Sequence, residues 1–310
     1  MGQLIDFAGK DLKKIKPDLT ETDIIYLLPK LKILKGETIV IYINESILKD
    51  DVLLNRILRE IFTIKCMGTS VVIIPDVNFL MKEFCEDNFN IANPFDKEDF
   101  FDTLNQVEIL DVIFKSEVLD KIILSLKKFN AMALGMSGHN LDIIFPDNII
   151  ERDNDNLFAK QTKSIYNGFS EKKNKKYSIN TLEELLKTDI IPVIVPTFKI
   201  VNGKIFVMES SLFGSYLANY LSALKYVLCY TNDDTIPSSC VYGSDRFTKI
   251  FETGKFSLNA KKMIKSGLEA VKNGVQSVNI IDMKYASFLE ELCNVTLSGI
   301  FLYDDTLNQL

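Results

Sequence analysis

Between Thr38 and Asn78 the chain carries two uninterrupted apolar runs with an amphipathic stretch between them, and few folds accommodate that arrangement. The first run, Thr38-Ile39-Val40-Ile41-Tyr42-Ile43, holds no charge. Asn44-Glu45-Ser46 interrupts it, and from Asp50 to Phe62 apolar residues recur at helical spacing (Leu54, Ile57, Leu58, Ile61) until Gly68 stops the helix. The second run, Val71-Val72-Ile73-Ile74, ends at Pro75-Asp76. A strand apolar at every position, rather than every second one, must be covered on both faces, so the pattern predicts buried parallel strands in a βαβ unit. Open sheets of this kind bind ligands at the carboxyl ends of their strands. The turns that matter are therefore Asn44–Ser46 and Asp76–Asn78, and neither contains glycine.

With 310 residues, the chain suits one large α/β domain or two lobes. The expected division is an N-terminal extension at 1–20, an N-terminal lobe at 21–195 and a C-terminal lobe at 196–310. An apolar content of 47% and a charged content of 25% are those of a soluble globular protein. No stretch approaches the roughly 18 uninterrupted apolar residues of a membrane span. Met1 to Lys16 is studded with lysine and lacks an apolar signal core, so the expected location is cytoplasmic. Five cysteines stand at no metal or redox spacing and read as reduced thiols. A net charge of −6 weighs against a general nucleic-acid binder. The single histidine, His139, excludes any mechanism that needs two. Arginine occurs only at Arg56, Arg59, Arg152 and Arg246, which limits bidentate clamps for carboxylate or phosphate.

Along the rest of the chain, Thr20 and Asp23 form a capping box for a helix through Leu34. Phe79 to Asn93 reads as irregular and acidic. A long helical region opens at Pro94, carries Phe100, Leu104, Val107 and Leu110, and resumes from Val118 to Phe129. Ala131 to Met136 is a strand ending in Ser137-Gly138-His139-Asn140, and Lys172–Lys176 a solvated hairpin tip. Leu182–Leu186 is a short helix, Ile190–Val195 a strand, and Asn202-Gly203 a hairpin turn. Ser210-Ser211 caps a helix to Leu224, followed by the strand Tyr226–Tyr230. Pro237 to Gly254 reads as loop, Asn259–Lys272 as helix, Ser277–Ile281 as strand, Tyr285–Leu292 as helix and Gly299–Tyr303 as an edge strand. Strands alternating with helices predict an α/β protein, a three-layer αβα sandwich around a mainly parallel sheet.

Laid end to end, these segments resemble the N-acetylglutamate kinases of the amino-acid-kinase family from about Leu28 onward. Leu28-Pro29 to Gly36-Glu37-Thr38-Ile39-Val40-Ile41 looks like that family's helix and lead into strand one. Ala133-Leu134-Gly135-Met136-Ser137-Gly138 is similar to its alanine-valine-glycine-leucine-serine-glycine strand and turn, and Ile191-Pro192-Val193-Ile194-Val195-Pro196 to its isoleucine-proline-valine strand. Tyr226 to Thr231 resembles the strand ending in threonine-aspartate, and Lys265 to Asp282 the long helix and following strand. The resemblance implies the carbamate-kinase-like fold, with an acyl-amino-acid site in the N-terminal lobe and a nucleotide site in the C-terminal lobe.

It also implies a reaction, transfer of the ATP γ-phosphoryl group to a carboxylate, which depends on positioned cations and bare backbone. Where the family has a lysine and two glycines after strand one, this chain has Tyr42, Asn44 and Glu45. Its second glycine turn is replaced by Asp76-Val77-Asn78, and the arginine expected near Ile91 to Pro94 is missing. The asparagine and aspartate before the fifth helix fall at Val207 and Ser211. The second essential lysine falls at Met263, one residue from Lys262, and His139-Asn140 stands where the family has lysine-aspartate. Residues carried over as substrate-binding candidates are Asp76, Val77, Asn78, Ser137 and Gly138; as nucleotide-binding candidates, Thr231, Asn232 and Lys255. Removal of one such charge-stabilising group typically costs about two to three orders of magnitude in rate.

Each feature also has a plainer reading. His139 at a turn is a surface or packing residue unless it serves as a switch. Asn44-Glu45 with Asp76–Asn78 forms either a new polar or cation site or, as the preferred reading, two solvated turns. Thr231-Asn232-Asp233-Asp234 could retain nucleotide binding, although its acidic run disfavours phosphate. Lys261, Lys262 and Lys265 read as a solvated helix face. Two functions follow. The first is a catalytically inactive pseudokinase with a binding, regulatory or assembly role in arginine or amino-acid metabolism. It would be a homodimer through the Phe100 to Phe114 helix, a higher oligomer through residues 1–20, and responsive to a small effector such as arginine. The alternative is an active carboxylate kinase, using ATP and Mg²⁺, with Lys49, Lys262 and Lys255 as rebuilt cations. No resident metal site is expected, and neither nucleic acid nor membrane is an expected partner.

Overall fold

The computed structural model describes residues 21–89, 104–141, 144–145, 180–200, 205–231, 233, 235–237, 240–284, 286–293 and 299–304. Helix α1 (Glu21–Leu31) passes through a 3₁₀ turn (Lys32–Leu34) into β1 (Thr38–Ile43). After α2 (Glu45–Leu48), α3 (Asp51–Cys66) is capped by the Asp50 carboxylate, which accepts from the amides of Val52 and Leu53, and leads to β2 (Ser70–Pro75). Helix α4 (Asn78–Phe89) follows β2. Helices α5 (Leu104–Phe114) and α6 (Asp120–Lys127) are joined by a π-helical segment (Lys115–Leu119) and run into β3 (Ala133–Ser137) and a 3₁₀ turn (Gly138–Leu141). Then come β4 (Ile144–Phe145), α7 (Asn180–Leu186), β5 (Ile191–Val195), β6 (Thr197–Ile200) and β7 (Ile205–Val207). The remainder is α8 (Ser210–Tyr220), β8 (Lys225–Tyr230), β9 (Cys240–Gly243), α9 (Ser244–Thr253), α10 (Leu258–Lys272), β10 (Ser277–Asp282), α11 (Phe288–Leu292) and β11 (Ile300–Tyr303).

Eight strands form one sheet in the order β3-β5-β2-β1-β8-β10-β11-β9, with β4, β6 and β7 in a second, smaller sheet. In the main sheet every neighbouring pair is parallel except β10 with β11. The apolar runs explain why. In β1 and β2 every residue after the first is buried, and successive side chains take opposite faces. Ile39, Ile41 and Ile43 join Leu54, Ile57, Ile61 and Ile122 in one core. Val40, Tyr42, Val72 and Ile74 join Leu212, Phe213, Tyr216 and Ile264 in the other. Two cores on two sheet faces make the three-layer sandwich that alternating strands and helices predict. Strands from residues before 196 fill one half of the sheet and strands from residues after 196 the other, meeting where β1 pairs with β8.

Several sequence expectations are corrected. The stretch after Phe79 is helical to Phe89, because Met81 and Cys85, one turn apart, bury completely in the first core. Within Pro237 to Gly254 a strand and the helix α9 form, anchored by the fully buried Phe247, whose ring lies 5.0 Å from that of Tyr242. Strand β11 is interior, since β9 pairs beyond it and takes the edge. The helix expected to run to Leu224 ends at Tyr220, and Ser222 adopts a positive φ of 50° on the way into β8. The Asn202-Gly203 hairpin and the lysine cluster at 172–176 lie outside the described residues.

Candidate functional site

Strand order reverses around β1, with β2 and β5 on one side and β8 and β10 on the other, and such a switch point is where an open α/β sheet holds its ligand. The carboxyl ends of β1, β2 and β8 converge there. Asp76 N donates to Ile43 O at 2.8 Å, Asn44 N to Cys229 O at 3.0 Å, and Thr231 N to Ser46 Oγ at 3.3 Å. The two turns expected to be solvated are not. Asn44, Asp76 and Asn78 are 8%, 5% and 8% exposed, so their polar groups had to find partners within the protein.

Asp76 is the hub. Its Oδ2 accepts from Tyr42 Oη at 2.8 Å, from Asn44 Nδ2 at 3.2 Å and from Glu45 N at 3.5 Å. Its Oδ1 accepts from Asn78 N at 3.0 Å. Asn44 Nδ2 also reaches Tyr42 Oη at 3.2 Å. Tyr42 is buried at the end of β1, where burial and then the charges of Asp76 and Glu209 push its phenol well above the ordinary tyrosine range. Burial, and after it the Glu209 charge, raise the Asp76 carboxyl to about 6, against the opposing pull of its hydrogen-bond donors.

Glu209 is the residue that sequence reasoning missed. It stands immediately before Ser210-Ser211, and its own carboxylate caps α8. Oε1 accepts from Ser211 N at 3.1 Å, and Oε2 from Leu212 N at 2.8 Å and Ser211 Oγ at 2.7 Å. Ser, Thr, Asp and Asn are the usual N-caps, so the sequence pointed to Ser210-Ser211, which lie instead in the first turn behind the Glu209 cap. Glu209 Oε1 also accepts from Asn78 Nδ2 at 2.9 Å. Ser210 N and Oγ donate to Asn78 Oδ1 at 3.2 and 3.3 Å, and Val77 N donates to Ser210 Oγ at 3.1 Å. From Ser211 the chain of bonds continues to Ser266 on α10, whose Oγ donates to Ser211 Oγ at 2.9 Å, and the Ser211 carbonyl accepts from Tyr226 Oη at 2.6 Å. Gly214 permits that approach, since a Cβ there would stand 2.6 Å from the Tyr226 hydroxyl.

The other sequence candidates disperse. Met263 is core, 2% exposed. Lys262, its neighbour on α10, is half-buried, and its carbonyl accepts from Ser266 Oγ at 2.9 Å. Lys49 Nζ is held by Glu45 Oε1 at 2.5 Å and lies 4.8 Å from the Phe79 ring centroid. Lys255 is exposed, Thr231 is buried, and Asn232 lies outside the described residues. The Ser137-Gly138 turn is two strand spacings from Asp76, roughly 10 Å, because β5 intervenes. Gly138 is packed against β6, where a Cβ would meet Thr197 O at 2.1 Å. His139 faces Thr197 Oγ1 through Nδ1 at 3.0 Å and Asp111 Oδ2 through Nε2 at 3.4 Å, a packing role between α5 and β6. Among the described residues no group of three or more His, Cys, Asp or Glu side chains could hold a metal ion. Asp76, which the cation alternative for the two turns would use, already accepts four hydrogen bonds.

An eight-stranded, mainly parallel sheet covered by helices on both faces is the amino-acid-kinase fold. Solved structures with this fold match the chain over most of its length. They include N-acetylglutamate synthase from Neisseria gonorrhoeae complexed with coenzyme A and N-acetyl-glutamate (TM-score 0.68, 16% identity), covering 93% of this chain and 64% of that one. Carbamate kinase from Giardia lamblia bound to AMP-PNP matches at a TM-score of 0.57 and 11% identity, covering 87% of this chain and 99% of that one. In sequence the chain is similar to acetylglutamate kinases. It is 24% identical to the acetylglutamate kinase of Nitrosococcus oceani over 276 residues, 85% of this chain and 89% of the relative. It is equally identical to that of Burkholderia cenocepacia over 290 residues, 88% and 90% respectively. No protein-family model matches the chain.

Proposed function

We propose that the chain is an acetylglutamate-kinase-like protein that has given up phosphoryl transfer and works by binding, regulation or assembly. The observation that carries this reading is the Tyr42–Asp76 hydrogen bond of 2.8 Å at the end of β1. A phosphoryl-transfer site stabilises the negative charge of a triphosphate with cations and exposed amides. Here the end of β1 presents a buried neutral phenol, the turn after β2 a carboxylate, and the start of α8 a second carboxylate that covers the helix amides itself. Each of these groups repels a phosphate or occupies its donors.

The curated relatives are acetylglutamate kinases, so N-acetylglutamate and ATP with Mg²⁺ are the ligands to test first. A coupled ADP-release assay should show no turnover, and millimolar ATP-Mg²⁺ should leave the melting temperature unchanged. Turnover abolished by Lys262→Ala would establish the alternative, an active carboxylate kinase with a rebuilt cation. The protein is further proposed to act in the cytoplasm; among the described residues no helix is long and apolar enough to cross a membrane.

Assembly as a homodimer through the helix that includes α5 is supported by what that region exposes. Ile109 and Val112 on α5 are 49% and 68% exposed, and on the sheet's terminal strand β3 and just before it Leu134 and Met132 are 42% and 57% exposed. A second copy would cover these side chains. Val112→Asp should convert a dimer to a monomer in light scattering, and a monomeric parent protein would remove this part of the reading. Higher assembly through residues 1–20 and a response to arginine are tested on the same instrument, by deletion of that segment and by addition of the amino acid.

A further inference from the structure

Away from the candidate site, α10 ends on a chemically reactive pair, Asn273-Gly274, just before β10. An asparagine followed by glycine is among the dipeptides most prone to spontaneous cyclisation, because no Cβ hinders the second nitrogen from reaching the asparagine Cγ. The Gly274 nitrogen gives its proton to water or hydroxide and bonds to Asn273 Cγ. The Cγ–Nδ2 bond then breaks, ammonia leaves, and water opens the succinimide to aspartate or isoaspartate.

The fold opposes each part of that step. Gly274 adopts a φ of 109°, its N–H donates to Val271 O at 3.0 Å, and Val275 N donates to Ala270 O at 3.1 Å. This is a helix C-cap that a residue without Cβ adopts freely, and it occupies the proton that cyclisation must remove. Ring closure also requires the Gly274 nitrogen to eclipse Asn273 Cβ about the Cα–C bond. At the observed ψ of 10° it eclipses the Asn273 backbone nitrogen instead. The Asn273 side chain is turned back along the helix, where Nδ2 donates to Glu269 O at 2.7 Å. From α8, Asn219 Nδ2 donates to Asn273 O and so holds the peptide group that would have to rotate.

We propose that Asn273-Gly274 is a spontaneous deamidation site, kept dormant by the α8–α10 contact, and that opening of this corner exposes it to irreversible conversion. The product weakens the helix end that produced it. Aspartate at 273 lacks the Nδ2–H donor to Glu269 O and sets a negative charge at the negative end of α10. Isoaspartate also adds a methylene to the main chain, which puts the cap bonds out of register. Ser266, which bonds Ser211 of the candidate site, lies two turns back on the same helix.

Peptide mapping by mass spectrometry follows amide-to-acid conversion in the full chain and resolves position 273 from the other Asn-Gly pairs, at Asn167 and Asn202. At about pH 8 the folded chain should convert at 273 at least about tenfold more slowly than the chain unfolded in urea. Asn219→Ala, which removes the contact to Asn273 O, should convert about fivefold faster than folded wild type while its circular dichroism stays native. Should that variant not fold, sub-denaturing urea opens the corner of the wild-type protein instead, and conversion should accelerate before the global transition. Asn273→Asp should lower the melting temperature by about 2 °C. Equal rates in the folded and unfolded chain would overturn the gating. An Asn219→Ala rate equal to that of wild type, or acceleration only with global unfolding, would overturn the role of the α8 contact. An unchanged melting temperature in Asn273→Asp would overturn the effect on α10.

Discussion

Replacing Asp76 with asparagine is the sharpest probe of the network, because burial gives it a calculable pH signature. The carboxyl rises from an ordinary 3.8 to about 6 in the folded protein. Between those values the native state binds a proton that the unfolded chain has released, so stability falls as pH rises. The contribution is fully present below about pH 4 and lost as pH passes through about 6, because the folded pKa is the raised one. A shift of about two units at about 1.4 kcal/mol each makes the loss about 3 kcal/mol. Urea denaturation of wild type and Asp76→Asn across this range isolates the residue. Other groups with raised values, Glu60 among them, contribute equally to both proteins and cancel in the difference. Wild type should lose about 3 kcal/mol relative to the variant between about pH 4 and pH 7. Parallel stability curves, or a difference of the opposite sign, would refute the argument that Asp76 is buried beside a second negative charge.

Tyr42→Phe removes the shortest bond to Asp76 and should cost roughly 1.5–3 kcal/mol, more at pH 8 than at pH 5, by the same denaturation assay. Gly138→Ala sets a methyl group 2.1 Å from Thr197 O, so the 3₁₀ turn after β3 and the start of β6 must part; a loss of about 2 kcal/mol or more in thermal melts is expected. Lys225 on β8 is 7% exposed, and burial lowers its ammonium to about 8. A depressed folded value means stability is fully present above about pH 10.5 and lost as pH falls through about 8. Lys225→Met should therefore stabilise the protein at pH 7 by about 3–4 kcal/mol, and the gain should vanish above about pH 10.5.

The legible part of the fold was the part written in continuous apolar runs. Strands β1, β2, β5 and β8 could be placed because each demanded cover on both faces. Helix α4 escaped notice because only Met81 and Cys85 mark its buried face, amid acidic and amide residues that read as loop. Helix α9 was hidden between Pro237 and Gly254, where punctuation residues outweighed the spacing of Phe247, Ile250 and Phe251. At the candidate site, the sequence identified Tyr42, Asn44, Asp76 and Asn78 as occupying the strand ends. It read the turns as solvated because polar turn residues usually are. Glu209 went unremarked because a carboxylate next to two serines has no local reason to be buried.

By itself the sequence determined the layers, the parallel core of the sheet and which residues stand at its carboxyl ends, since those follow from local spacing and from burial on two faces. Tertiary structure alone decided that the turn at 76–78 meets the start of α8, some 130 residues further along the chain. Neither carboxylate carries a distinctive motif. Their chemistry arises because the sheet packs β1 beside β2 and seats α8 over them, excluding water from two acids that in any other arrangement would be ordinary surface charges.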